Sequence, residues 1–351
     1  MNPETSGAAP GDGVTMGVEE EFLLVDPATG HPAPGFDAVC GRLPGVPGVT
    51  FVGELHPTQI EAVGGVCRTL AELRTRLTSS RSALDAAARR CGLRVAAVGV
   101  PESDAGHGTL VAAGRRAAIA ERYRALVDDY HACGCHVHVG VADRDTAAAV
   151  VNHLTPWLPT LVALGANSPR HGGRDTGYAS WRIVQQSRFP GFGLPPYLRS
   201  AQHAAALVAR LVDAGVLIDS RMTFWLARPS VHVPTVEIRA ADTAATVDGT
   251  VLQAALGRGL VGAALDDLRR GVEVRPVEPD LGAAAVWSAA RYGLDGPAVD
   301  VHTGTRIPAR DMLARLLDRV APTLRAHGDL GVVQKLLAGP RPVTAPRVST
   351  G

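Results

Sequence analysis

Hydrophobic and polar positions alternate in several short stretches of this chain and recur every three to four residues in the segments between them. Residues 15–26 alternate as a β-strand, closed by the turn-forming run Asp26-Pro27-Ala28-Thr29-Gly30. Residues 31–50 hold four prolines and four glycines and read as loop, and 51–63 read as a strand pair or one bent strand. Further strands are predicted at 93–100, 133–141, 221–227 and 234–240. Helical spacing is clearest over 67–90, where Leu70, Leu73, Leu77 and Leu84 share a face and Gly92 supplies a stop. Helices are also predicted at 115–131, at 143–165 with an interruption near Pro156 and Pro159, and at 197–214, 247–270, 281–292 and 308–325. The polar, glycine-rich stretch 167–196 has no period and reads as a long loop, functional or disordered. Because strands and helices do not alternate strictly, a doubly wound parallel sheet is not indicated. The pattern fits a mainly antiparallel sheet with one open face and helices on the other, an α+β arrangement. Residues 1–13 and 339–351 are expected to be disordered, leaving 14–338 as one domain.

Four of the strands carry ionisable residues where a core would want apolar ones. Alternate side chains of a strand share a face, so Glu19 projects with Glu21, Gln59 with Glu61, His136 with His138, and Glu237 with Arg239. Carboxylates are rarely buried unless paired or bound to metal, and together these faces suggest one metal-filled cleft. Glu19, Glu21, Glu54, Glu61 and Glu237 with His136 form an oxygen-rich set that suits Mg²⁺ or Mn²⁺. Five carboxylates repel one another unless two or more divalent ions neutralise them, and the excess charge implies an anionic ligand, most simply a nucleoside triphosphate. Arg239 would then stabilise charge on a transferring phosphoryl group. Each pattern alone has a blander reading: a solvated acidic edge, a surface Glu237–Arg239 pair, or a zinc-hydrolase strand with His136 and His138. Neither G-x-x-x-x-G-K-[ST] nor G-x-G-x-x-G after a strand is present, so ATP would be held by metals and the sheet.

Composition narrows the partners. Hydrophobic residues make up 46% of the 351, enough for a sizeable core, but aromatics only 4%, so Ala, Val and Leu must fill it. A formal charge of +1 gives no field of one sign for nucleic acid or an anionic membrane. No apolar run is expected to approach the ~18 residues that span a bilayer, and the N-terminus lacks a basic region followed by an apolar one. The five cysteines are odd in number and form no Cys-x-x-Cys pair, which fits free thiols in a reducing cytoplasm.

The segments Gly17-Val18-Glu19-Glu20-Glu21-Phe22, Gly53-Glu54-Leu55-His56-Pro57 to Glu61, Cys135-His136-Val137-His138-Val139-Gly140 and Val236-Glu237-Ile238-Arg239 resemble the type 2 glutamate–cysteine ligase family. So do Ala166-Asn167-Ser168-Pro169 and the run Gly173 to Arg182, in the family's order from about residue 14 to 325. The resemblance implies a fold like that of glutamine synthetase and an acyl-phosphate route from ATP, glutamate and cysteine to ADP, phosphate and γ-glutamylcysteine. It implies that Glu19, Glu21, Glu54, Glu61, His136 and Glu237 ligate two or three Mg²⁺ ions, with Mn²⁺ an alternative. It further implies that Arg239 contacts the transferred phosphoryl group, that Glu54 and Arg239 serve catalysis, and that Arg174, Tyr178 and Arg182 hold the amino-acid substrate. Partners would be small molecules, with room for a homodimer. Cys135, Arg170-His171 and Ala240-Ala241-Asp242-Thr243 depart from the family's usual residues and leave the acceptor amine open. Another amine, a guanidino phosphotransferase, a metal hydrolase and a non-catalytic binding protein are the competing readings.

Overall fold

The computed structural model describes residues 12–103 and 114–339. Seven strands form its main sheet: β1 (Asp12–Val25), β2 (Val49–Gly53), β3 (Gln59–Gly64), β4 (Arg94–Ala96), β5 (Gly134–Val141), β6 (Ala227–Pro229) and β7 (Thr235–Asp242). They run in the order β6-β7-β5-β1-β3-β2, with β4 pairing β1 beyond the end of β5. Every pairing in this sheet is antiparallel. Register shifts in β1 after Asp12 and in β7 between Ile238 and Ala241 mark bulges, which bend a strand and sharpen its twist. The fold is the α+β arrangement that the polar alternation predicts.

One face of the sheet is apolar and covered. Val18, Phe22, Leu24, Val137, Val139, Val236 and Ile238 are all buried, facing the helices Leu70–Arg90 and Val247–Arg269. Thr69 caps the first helix by accepting from Glu72 N, and Thr246 caps the second by accepting from Gly249 N. The second helix is apolar nearly all round because it lies between the sheet and the helix Ala309–Ala326. It comes so close that a Cβ on Gly257 would sit 3.0 Å from Ile238 Cδ1. Glu20 belongs to this covered face, unlike its neighbours Glu19 and Glu21. It is 1% exposed and bound by both nitrogens of an Arg81 fork, Nη2 at 2.6 Å and Nε at 3.1 Å, with Thr250 Oγ1 at 2.6 Å.

Several expected elements take a different form. The predicted helix over 115–131 breaks at Arg124, whose φ of 51° no regular helix adopts, into Gly114–Tyr123 and Ala125–Asp128. The stretch 167–196 is not one loop: Ser180 caps a short helix, Trp181–Gln186, and Phe192–Gly193 pairs in parallel with Phe224–Trp225. That pairing and β6 replace the single strand expected at 221–227. A short helix, Phe36–Cys40, interrupts the expected loop at 31–50, and the strand expected at 93–100 shrinks to β4. The helix Leu330–Ala338 was not expected; Asp329 at its start pairs with the buried Arg258. β1 begins at Asp12, inside the segment expected to be disordered; residues 1–11 and 340–351 lie outside the described ones. Contrary to the sequence reading, Arg144–Gly165 is long and apolar enough to cross a membrane, but 78% of its apolar 18-residue portion is buried within the protein. It is broken at Thr155–Trp157, as Pro156 and Pro159 predict.

Candidate active site

The register of the sheet brings the charged positions into rows on its open face. Glu19 pairs with His136, Glu21 with Glu61, and Glu237 with His138. With Glu54, just past the end of β2, these residues and Arg239 line a cavity of about 660 Å³. Their ligand atoms fall into three groups, each within 4.8 Å: Glu19, His138 and Glu237; Glu19, Glu61 and His136; Glu21, Glu54 and Glu61. All six residues expected to bind metal therefore meet in one place, and Glu19 and Glu61 each belong to two groups.

The electrostatics divide the cavity. Burial, then repulsion from Glu54, pushes the Glu21 carboxyl up to about 8. Burial and repulsion from Glu54, Glu21 and Glu19 push Glu61 up to about 11, and burial raises Glu54 as well. At the other end, burial is outweighed by hydrogen bonds from His136 and His138, which hold Glu19 well below the usual carboxylate range. Glu237 is likewise held low by Arg239 and Arg228 against its burial. Burial, then Arg239, lowers His136 to about 4, so its ring is neutral near pH 7 and retains a lone pair. Nε2 of His136 is buried without a hydrogen-bond partner, while His138 holds Glu19 Oε1 at 3.3 Å through Nε2 and lies 3.0 Å from Thr235 Oγ1 through Nδ1. An orphaned imidazole nitrogen among crowded carboxylates fits divalent cations, and the bond to Thr235 fixes which His138 nitrogen faces the cavity.

Three contributors escaped the sequence reading. His138 was paired with His136 as a same-face motif but assigned only to the hydrolase alternative; its place in the first group comes from its pairing with Glu237 across two strands. Arg228 grips Glu237 with Nε at 2.7 Å and Nη2 at 3.1 Å, and is itself held by Arg221 O and Thr223. The cavity's other wall is apolar and aromatic, with Ile119, Tyr130, Phe189, Met222 and Phe224 packed as a separate cluster.

The three residues expected to hold the amino-acid substrate lie elsewhere. Arg174 is exposed in a two-residue strand. Tyr178 packs against Trp181 and Trp287 and accepts from Trp287 Nε1. Arg182 is fully buried beside the cavity without lining it: Nη2 donates to the Arg239 carbonyl at 3.2 Å, and a Cβ on Gly134 would meet that Nη2 at 2.3 Å and His136 Nε2 at 3.0 Å. The same segment is pinned by buried Asp242, which accepts from Ser168 Oγ at 2.6 Å, Ser180 Oγ at 2.8 Å and Asn167 N at 2.8 Å. None of the three lines the acidic cavity.

Residues 15–337 match the family model described as glutamate–cysteine ligase family 2. A Saccharopolyspora erythraea protein provisionally named glutamate–cysteine ligase 2-2 is 56% identical over 331 residues, covering 93% of this chain and 84% of that one. A Salinispora tropica protein provisionally named glutamate–cysteine ligase 2 is 44% identical, covering 93% and 86%. Among solved structures, glutamate–cysteine ligase from Francisella tularensis in complex with AMP superposes with a TM-score of 0.67 over 92% of this chain and 82% of that one, at 13% identity. A bifunctional glutathione synthetase from Pasteurella multocida gives 0.64 over 92% and 47%, at 12% identity. At those identities the structures establish a shared fold.

Proposed function

The chain belongs to glutamate–cysteine ligase family 2, and from that premise we propose that it is an ATP-dependent ligase joining the γ-carboxylate of glutamate to the amino group of cysteine through an acyl phosphate. The observation that carries this reading is the cavity in which three overlapping carboxylate–imidazole groups meet Arg239. Carboxylates forced to share a buried space are a poor way to stabilise a fold and a good way to hold cations beside a polyphosphate. The AMP bound to the Francisella ligase lends support to a nucleotide here.

In this proposal Glu19, Glu61 and His136, Glu19, His138 and Glu237, and Glu21, Glu54 and Glu61 would hold Mg²⁺ or Mn²⁺. Such ions, when bound, supply positive charge between the carboxylates and the phosphates. Arg239 contributes a second source of positive charge, and its pairing with Glu237 keeps the guanidinium ionised and directed into the cavity. A glutamate γ-carboxylate oxygen attacks the terminal phosphorus and ADP leaves. The amine then attacks the acyl carbon, phosphate leaves with one former carboxylate oxygen, and the amine gives up a proton. Glu54 keeps its catalytic assignment beside its ligating one. With all five cysteines unpaired, we place the enzyme in a reducing cytoplasm.

The test is ADP release with glutamate against a panel of amines, with and without Mg²⁺, using glutamate labelled with ¹⁸O in its side-chain carboxylate. One label should appear in phosphate for each amide formed. Amide without labelled phosphate refutes the acyl phosphate, and phosphorylation of a guanidino group without amide refutes the ligase.

A further inference from the structure

Gln59 stands two residues before Glu61 on β3, so both side chains project from the same face, and it lines the acidic cavity. It is 2% exposed. Its Nε2 donates to the Ala132 carbonyl at 2.9 Å and reaches Cys133 Sγ at 3.5 Å. That bond decides the amide's orientation, because a reversed group would set two carbonyl oxygens against each other. Oε1 is therefore fixed as the free end, and it is buried with no hydrogen-bond partner. Leaving a buried carbonyl unmatched is costly, and such groups in a cavity point to something that completes them.

The missing partner must be a proton donor or a cation, which excludes an ionised carboxylate or a phosphate. Its place along the sheet narrows the chemistry further. Gln59 pairs with Leu23 and Glu61 with Glu21, so Gln59 lies one step deeper than the metal-ligating rows and further from Arg239. Two residues of strand span about 6.7 Å, comparable to the length of a small amino acid with a carboxylate at one end and an ammonium at the other. Tyr130 offers an aromatic face suited to a cation.

We propose that Gln59 Oε1 receives an N–H of the α-ammonium group of the amino acid whose side-chain carboxylate is activated, and so selects an amino acid over a plain dicarboxylic acid. The assignment rests on the ligase reading for the role of that carboxylate, yet it can be measured without turnover. Calorimetric titration of the Mg²⁺·ADP-loaded protein with glutamate and with glutarate, which lacks the amino group, gives the preference directly. The wild type should bind glutamate on the order of 10²-fold more tightly, since a buried acceptor left unpaired by glutarate penalises that complex. Gln59→Leu should bring the two affinities within about threefold, by weakening glutamate and by relieving the penalty on glutarate. Gln59→Met, which keeps the length of the side chain without its carbonyl oxygen, should do the same. A structural role at Ala132 would weaken both ligands equally, so an unchanged ratio in Gln59→Leu overturns the proposal, as does a wild type that binds neither ligand or both alike. Failure of ADP release with glutamate, with the binding preference intact, would instead overturn the reaction and leave this recognition standing.

Discussion

Replacing Glu61 by Gln should make the metal-free protein more stable, not less. In the group formed by Glu21, Glu54 and Glu61, ligand atoms lie within 4.8 Å of one another, and two full charges at that separation repel by about 3 kcal/mol at an effective dielectric near 20. The folded chain escapes by keeping a proton on Glu61, whose carboxyl is pushed up to about 11. Holding that proton at pH 7 on a group that titrates near 4.5 in the unfolded chain costs about 3 kcal/mol, in line with the repulsion it avoids. The sign follows from proton counting. Below about pH 4.5 both states carry the proton and the penalty vanishes; above it the unfolded state releases the proton, the folded state does not, and stability falls as pH rises towards the folded value. Glutamine has the same shape without the proton to lose. In EDTA, Glu61→Gln should raise the melting midpoint by about 5 °C at pH 7, more at pH 8.5 and hardly at all near pH 4.5. Mg²⁺ should raise the wild-type midpoint more than the variant's, because a ligand shared by two groups is gone while Glu19, His138 and Glu237 remain. The reasoning fails if the variant in EDTA melts at or below the wild type at pH 8.5, or if Mg²⁺ stabilises both alike.

Arg239→Lys should lower kcat by roughly 10²–10³-fold with a smaller change in KM for ATP, since a point charge replaces a planar fork at the developing phosphoryl charge; a change confined to KM would make it an ordinary binding residue. Glu20 and Glu21 should behave in opposite ways despite being neighbours. Glu20→Gln strands Arg81 and should destabilise the fold by about 3 kcal/mol with the metal dependence of turnover unaltered, whereas Glu21→Gln should fold and lose ATP turnover, and circular dichroism melts beside ADP assays separate the two. Gly134→Ala should disable the enzyme while leaving it folded, because the new methyl would meet Arg182 Nη2 at 2.3 Å and His136 Nε2 at 3.0 Å; wild-type activity would show that neither side chain needs its present position.

The acidic set was legible because strand periodicity is strict: a two-residue repeat assigns every charge to a face, and an α+β sheet with one open face follows from that repeat. What the repeat cannot assign is the partner strand. His138 joins Glu237 and Glu19 only through register across β5, β7 and β1, which no local pattern encodes, so the sequence pairs it with His136 alone. Arg228 sits in a three-residue strand too short for any period to appear. The helix Leu330–Ala338 has only Val333 fully buried and a glycine near its start, leaving little amphipathic signal after the break at Gly328. Arg182 shows the converse limit, since a motif can match at a position whose side chain is fully buried beside the cavity and does not line it. There it braces the backbone of Arg239 and reaches the cavity only as charge.

The two walls of the cavity have different origins in the chain. The ligating side chains belong to the sheet and share its folding energetics, whereas Ile119, Phe189, Met222 and Phe224 come from segments outside it and pack in a cluster of their own. Substitutions in that wall would reshape the cavity without removing a ligating side chain. Lineages descended from such a scaffold are therefore free to diversify the compound they accept while inheriting the activating chemistry intact, and duplicated copies in one genome would be expected to diverge first along those few apolar positions.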